Sequence, residues 1–432
     1  MTVTVFIVSL LAAMAIGMPI AYALLVCGLS LMAFLSMTSG LVTFDSQILA
    51  QRFVEGADNF PLLAVPFFLL AGEFMNAGGL SRRIVNLAMA WVGHFRGGLG
   101  YVTVIAAVIM ASLSGSAVAD TAALAALLIP MMRAAGYNIG RASGLIASGG
   151  IIAPVIPPSI GMIIFGVAGN VSITKLFLAG IVPGLLMGVA IGLTWWWVAK
   201  KENVQPAPKL AMPERFRITA EGGFALLLPV VIIGGMKFGV FTPTEAAVVA
   251  AVYSFAVGMF IYRELEWSQI YGLMLSAGKT TAVVMFLVAA AMVSAWLITV
   301  ANIPTEVANM MEPFMGNKML LMFIMMVLVV VVGTALDFTP TVLILTPVLM
   351  PLVLKAGIDP VYFGVMFIMN NAIGLITPPV GTVLNVVCGV AKISMDDAFK
   401  GVLPFLLAQL AVLFLLVLFP EIVLVPLQWW MK

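Results

Sequence analysis

Pro154-Val155-Ile156-Pro157-Pro158-Ser159 and Gly374-Leu375-Ile376-Thr377-Pro378-Pro379-Val380-Gly381 each place a proline pair inside a long apolar segment. Proline supplies no amide donor and its ring clashes with the preceding turn, so each pair must break a helix. The two pairs stand 221 positions apart, and the same offset aligns other uncommon residues without a gap. Pro130 meets Pro351, Ala135-Gly136 meets Ala356-Gly357, Gly180 meets Gly401, and Pro183 meets Pro404. Shared proline and glycine positions at one offset point to an internal duplication.

The surrounding composition says where these breaks lie. Of 432 residues, 63% are apolar and 9% charged, and the mean hydropathy is +1.19. Soluble domains carry about 25% charged residues, so the chain reads as an all-α polytopic membrane protein. A net charge of +2 gives no sign of nucleic-acid binding. Cys27 and Cys388 lie in apolar runs and suggest no disulfide framework. The single histidine, His94, cannot build a zinc site, and no phosphate-binding GxxxxGK[ST] loop occurs. The N-terminus lacks a basic region, so residues 1–37 do not read as a cleaved signal peptide.

The apolar segments suggest an order of elements. Residues 3–37 exceed one ~30 Å crossing and should break at Gly17-Met18-Pro19. Further spans fall at 61–77, 175–199, 222–240, 243–262, 276–301 and 401–425. Lys200–Arg217 reads as a polar loop between the halves. Residues 80–96 and 303–317 are amphipathic and should lie along the membrane surface. Segments 97–135 and 318–356 read as re-entrant hairpins with polar tips. Segments 142–170 and 360–391 read as discontinuous helices. An odd number of crossings then separates equivalent points, so the two repeats have inverted topology. This model puts 14 of the 20 Lys and Arg on one side, which the positive-inside rule makes cytoplasmic. The first hairpin then opens from the cytoplasm and the second from outside.

Irregular backbone at membrane depth is tolerated only where it is buried or lines a cavity. Ser114, Gly115 and Ser116 form the first tip, flanked by Asp120 and Thr121. Pro157, Pro158 and Ser159 mark the first break. Gly333, Thr334, Asp337, Phe338, Thr339 and Pro340 form the second tip. Thr377, Gly381 and Thr382 flank the second break, and Asn370 and Asn371 stand just ahead of it. Carbonyl and hydroxyl oxygens suit a hard monovalent cation such as Na⁺, and helix N-termini suit a carboxylate. Two tip-and-break clusters imply at least two ion sites. Asp337 could bind a cation, carry a proton or contact the substrate. Ser116, Ser159, Asp337, Asn370, Asn371 and Thr382 are the candidate substrate contacts, although the asparagines could equally make structural amide bonds. Glu73 could pair with a basic residue of the surface helix, and Glu245 suits a first helical turn. Trp195–Trp197 and Trp429-Trp430 read as interfacial anchors.

These motifs resemble a known family. Residues 60–73 (FPLLAVPFFLLAGE), 114–120 (SGSAVAD), 157–160 (PPSI), 239–247 (GVFTPTEAA) and 374–381 (GLITPPVG) are similar to the large membrane subunit of TRAP (tripartite ATP-independent periplasmic) transporters. The resemblance implies an elevator-type sodium-coupled anion transporter and no enzyme. Residues 1–77 and 222–301 would then form the scaffold, and 78–96 and 302–317 the arms. Residues 97–199 and 318–432 would form the transport domain, with 200–221 a cytoplasmic linker. It implies a small four-helix membrane subunit, a periplasmic binding protein that delivers an organic acid, and a place in the bacterial inner membrane. Carried over, the first Na⁺ site involves Ser114, Ser116, Pro157 and Ser159, and the second Gly333, Asp337, Thr377 and Gly381. A stand-alone symporter of the same superfamily is the alternative. A channel is disfavoured by the inverted repeats, and a lipid enzyme by the lack of a nucleophile–base–acid set.

Overall fold

The computed structural model describes residues 2–38, 45–200 and 208–431. Lys201 and Lys432 from the charge census, and 201–207 of the expected linker, lie outside the described residues. Among the described residues the elements are helices and turns, with no strand. The first apolar segment is two helices, α1 (Thr2–Ala15) and α2 (Ile20–Thr38), parted at Gly17, whose φ is 84°. An amphipathic helix α3 (Ser46–Ala57) follows; the Asp45 carboxylate caps it, accepting from the Gln47 amide at 2.7 Å. A 3-10 turn at Phe60–Leu63 leads into α4 (Ala64–Ala77) and then the amphipathic helix α5 (Leu80–Val92).

The first hairpin is α6 (Gly98–Ser114) with α7 (Ala117–Ala134), and the first broken helix is α8 (Ile139–Gly150) with α9 (Ile160–Ala168). A long helix α10 (Ile173–Ala199) closes the unit. Between the halves stand α11 (Met212–Lys237), α12 (Pro243–Ala256) with its π turn at Val257–Ile261, α13 (Trp267–Val300) and α14 (Ile303–Met311). The pattern then recurs as α15 (Lys318–Ala335), α16 (Phe338–Lys355), α17 (Pro360–Gly374), α18 (Thr382–Ala391) and α19 (Met395–Leu418), before a terminal α20 (Glu421–Met431). Shifting α7 by 221 gives 338–355, the bounds of α16. Shifting α6 gives 319–335 against Lys318–Ala335, and shifting α9 gives 381–389 against Thr382–Ala391. The duplication therefore holds for whole elements, down to the N-caps Asn138 and Asp359.

Four expectations need correcting. The central loop ends earlier than Arg217, because α11 begins at Met212 with Pro213 in its first turn, where a missing amide costs nothing. The span expected at 276–301 starts nine residues earlier, at Trp267, as α13, which at 34 residues is about 51 Å long. The last apolar stretch is two helices, since α19 stops at Leu418 ahead of Pro420. Trp195 is no interfacial anchor: it is fully buried and its indole N–H donates to the Gly97 carbonyl at 2.9 Å, while Trp196 and Trp197 are exposed.

The two repeats share one core. All of α17 from Val361 to Gly374 is buried, and Phe165 of α9 packs on Phe363 and Phe367 of α17. Across from it, α8 and α19 cross with their backbones in contact, and a Cβ added at Gly401 would collide with the Gly140 carbonyl. Dispersion and small-residue packing replace the hydrophobic effect between helices in lipid, so this crossing depends on closeness. Gly401→Val should force the helices apart and cost about 1–3 kcal/mol; thermal unfolding in detergent should show a lowered midpoint, whereas Gly389→Ala, at a position facing open space, should not.

Candidate functional site

The first tip is built by three residues with separate tasks. Helix α6 ends at Ser114, Gly115 turns the chain at a φ of 64°, and Ser116 caps α7 through Ala119. The Ser114 hydroxyl donates to Asp120 Oδ1 at 2.5 Å and accepts from the Ser116 amide at 3.1 Å. A Cβ on Gly115 would strike the Pro158 carbonyl and lie 3.0 Å from Ser159 Cα. The tip thus presses directly on the break of its own repeat. In that break the Pro157–Pro158 bond is cis. Ser159, fully buried, donates to the Pro154 carbonyl at 2.5 Å and accepts from the Met162 amide at 3.1 Å. One side chain therefore meets a carbonyl freed before the prolines and an amide freed after them.

The second tip repeats the arrangement with different donors. Helix α15 ends at Ala335, Leu336 is extended, and Asp337 precedes α16. Asp337 is exposed and does not cap its own helix; it accepts from the Thr382 hydroxyl at 3.2 Å, at the start of α18. The Val380 amide donates to the Thr334 carbonyl at 3.3 Å. A Cβ at Gly374 would lie 2.7 Å from the Gly333 carbonyl. Gly381, with a φ of 48°, turns the chain into α18, and Pro378–Pro379 is cis. The Thr334 hydroxyl donates to the Val331 carbonyl of its own helix, and the Thr377 hydroxyl reaches back from the break to the Ile373 carbonyl of α17, which leaves their oxygens able to accept or coordinate.

Both asparagines make structural bonds. Asn370 donates to the Met326 carbonyl of α15 at 2.6 Å, and Asn371 to the Phe338 carbonyl at 2.7 Å. Their Oδ1 atoms are buried without a hydrogen-bond partner, and that of Asn371 lies 3.4 Å from where a Cβ on Gly333 would stand. The two clusters also touch each other: the Phe338 ring lies over Gly161 of α9 so closely that a Cβ there would overlap it.

Asp120 is the residue that the sequence reading placed only as a flank. It is 3% exposed, and its Oδ2 has no hydrogen-bond partner. The neighbouring Thr121 hydroxyl is also buried and unpartnered. The signal available in the sequence was its spacing, one helical turn beyond Ser116. Under the 221 shift Ser116 corresponds to Asp337 and Asp120 to Thr341. Each tip therefore has one acid and one hydroxyl, with the two positions exchanged. Among the described residues Glu73 makes no ion pair with a basic residue and instead accepts from the Ser276 hydroxyl at 2.7 Å. Glu245 makes a capping box with Thr242.

A cavity of about 700 Å³ leads away from the first tip. Ser114, Ser116, Glu73, Arg82 and Glu264 are among the residues that line it. Glu264 there accepts from Arg82 at 2.6 Å and Arg83 at 2.7 Å. The cavity thus joins the first tip to the residues that hold the Arg82–Glu264 pair.

Ten helices among the described residues are long and apolar enough to cross a membrane. With paired tip-and-break clusters at its centre, the chain is a multi-pass permease of the inner membrane, not an enzyme. It belongs to the DctM component family of the tripartite ATP-independent periplasmic transporters, whose family model matches residues 7–422. It is 58% identical to the Escherichia coli 2,3-diketo-L-gulonate TRAP transporter large permease protein YiaN, over 99% of this chain and 100% of that protein. It is 39% identical to the Vibrio cholerae sialic acid TRAP transporter large permease protein SiaM, over 94% and 93%. The crystal structure of the Alcanivorax borkumensis YdaH transporter superposes with a TM-score of 0.65 at 16% identity, covering 92% of this chain and 96% of that one, a likeness of fold.

Gly115→Ala tests the first contact. The left-handed conformation alone costs a side chain about 1–2 kcal/mol, and the Pro158 carbonyl blocks the methyl group. The expected outcome is transport loss with membrane insertion retained, read by uptake alongside surface expression; Gly136→Ala, also left-handed but facing open space, should keep transport.

Proposed function

We propose that this chain is the large permease of a sodium-coupled importer of an organic acid, working by elevator-type alternating access. The observation that carries this reading is the pair of tip-and-break contacts, each holding one acid. An ionised carboxylate at membrane depth is costly unless paired, and Asp120 has one oxygen without a partner. A bound Na⁺ would supply the missing charge. The first site would use oxygens of Ser114, Gly115, Ser116, Pro157 and Ser159, with Asp120 as its charge. The second would use Gly333, Thr334, Asp337, Thr377 and Gly381, with the unpaired Asn371 oxygen beside it. Two acids support at least two Na⁺ per cycle.

The substrate carboxylate would bind between the clusters, against Ser116, Ser159, Asn370, Asn371 and Thr382, where the start of α18 offers unpaired amides. Asp337 would reach it through the bound cation, since two anions repel. The names of the relatives make 2,3-diketo-L-gulonate the first acid to test, with sialic acid and C4-dicarboxylates next. The cavity at the first tip supports a state open to the cytoplasm. The arms α5 and α14 would join a static scaffold to the moving hairpins. A small four-helix membrane subunit and a periplasmic binding protein would complete the system, as the family's description as tripartite suggests.

Uptake of radiolabelled acid into proteoliposomes tests the reading. Accumulation should require an inward Na⁺ gradient, the small subunit and the binding protein. Accumulation driven equally by a proton gradient without Na⁺ would overturn the sodium assignment, and uptake without the binding protein would point to a stand-alone symporter. Asp337→Ala should lower uptake by roughly tenfold or more with normal insertion. Asp120→Asn, which removes the charge and keeps the shape, should raise the Na⁺ concentration needed for half-maximal uptake; an unchanged Na⁺ dependence would remove Asp120 from the site.

A further inference from the structure

Arg215 is a buried cation without an anion. It stands early in α11 and is 4% exposed. Its Nε donates to the Leu210 carbonyl at 3.1 Å, so the side chain reaches back past the start of its own helix. Its Nη2 is buried with no hydrogen-bond partner. The guanidinium also lies 6.0 Å from the centre of the Trp91 ring of α5. Neither contact supplies a negative charge, and among the described residues Arg215 forms no ion pair. The acids nearest to it in sequence, Glu214 and Glu221, are exposed, and Glu221 pairs with Arg217 at 3.6 Å. A guanidinium taken out of water without a counter-charge is costly. Elsewhere the chain meets that cost with a carboxylate, as Glu264 does for Arg82 and Arg83.

Two further basic groups share the place. The Nδ1 of His94, in the turn after α5, is buried and unpartnered. The imidazole holds its proton less well than an ordinary histidine, because it is desolvated and because the Arg215 and Lys209 charges repel the proton. Lys209 is exposed and His94 half-buried, so the locus reaches the surface. The start of α11 has no side-chain cap, and uncapped first-turn amides favour an anion. His94, Lys209 and Arg215 all fall in segments that the positive-inside rule assigns to the cytoplasm. Beside them Trp91 and Phe216 are exposed and meet edge to face at 6.2 Å, as aromatic rings do at a membrane interface.

We propose that Arg215, Lys209 and His94 form a binding site for a phosphate group, carried by an anionic lipid headgroup or by a soluble phosphate ester. The phosphate oxygens accept from Arg215 Nη2 and from the first amides of α11. Lys209 adds charge from the exposed side, and protonated His94 donates from Nδ1. The bound group ties the end of α5 to the start of α11, beside the 2.9 Å bond from Trp91 Nε1 to the Thr219 hydroxyl. The site is separate from both tips, and its test needs no transport.

The full chain, free of any histidine tag and with any copurifying subunit, is purified in detergent and stripped of lipid. Phosphatidylglycerol, diacylglycerol of the same acyl composition and glycerol 3-phosphate are titrated in turn. Two readouts are taken: bound lipid by native mass spectrometry, and the titration of the chain's single histidine by NMR, with His94→Gln locating its signal. Phosphatidylglycerol should bind and move the His94 midpoint to higher pH, because a nearby anion favours imidazolium; diacylglycerol should do neither. A weak response to glycerol 3-phosphate identifies the lipid as the source, and an equal one identifies a soluble ester. Lys209→Gln, at an exposed position, should weaken phosphatidylglycerol roughly fivefold, the worth of one interfacial cation. Arg215→Gln should weaken it further, raise the His94 midpoint without ligand, and leave little shift on adding lipid. If Arg215→Gln does not fold, Lys209→Gln decides. The proposal is overturned if neither phosphate-bearing probe moves the His94 midpoint, if phosphatidylglycerol and diacylglycerol act alike, or if the variants bind phosphatidylglycerol as the unaltered chain does.

Discussion

A helix that stops in the middle of a bilayer leaves amides and carbonyls with no water to meet them. Everything at the centre of this protein follows from how that cost is met. At the first break Ser159 bonds a carbonyl on one side and an amide on the other. At the second, the Val380 amide reaches back to the Thr334 carbonyl of the neighbouring hairpin. The breaks are thus not tolerated singly. Each is matched to a hairpin tip that lies against it, and the glycines at the contacts let backbone approach backbone.

Duplication then supplies two such contacts, and divergence within it supplies the chemistry. The repeats keep helix bounds, proline pairs and caps at a fixed offset, yet they exchange the positions of acid and hydroxyl around the tip. Ser116 with Asp120 in one half becomes Asp337 with Thr341 in the other. The exchange places one acid deep in the helix pair and one at the surface, where it accepts from Thr382. The duplicated elements thus carry two acids of unequal exposure, Asp120 buried and Asp337 exposed.

The outer parts serve this centre. The pair of arginines on α5 holds Glu264 beside the π turn that ends α12, among the residues that line the cavity at the first tip. On the other side of α6 an apolar groove runs between α6 and α10.

Much of this was legible in the residues alone. The proline pairs, their shared offset and the apolar runs determined two repeats of hairpin and broken helix, because those features act through local backbone chemistry. The tip residues Ser114, Gly115, Ser116 and Asp337 could be read for the same reason. Where elements join, local signals failed: α13 runs unbroken from Trp267 because no proline or capping glycine interrupts it, although its first turns are polar enough to read as loop. Only the tertiary structure decided which groups stay unpaired. The one-sided bond of Asn371 to the Phe338 carbonyl, which leaves its Oδ1 unpartnered, and the interior place of Trp195 depend on neighbours tens of residues away. A sequence states which donors and acceptors exist; the packing of distant helices settles which of them are left without a partner, and those are the ones that can hold an ion.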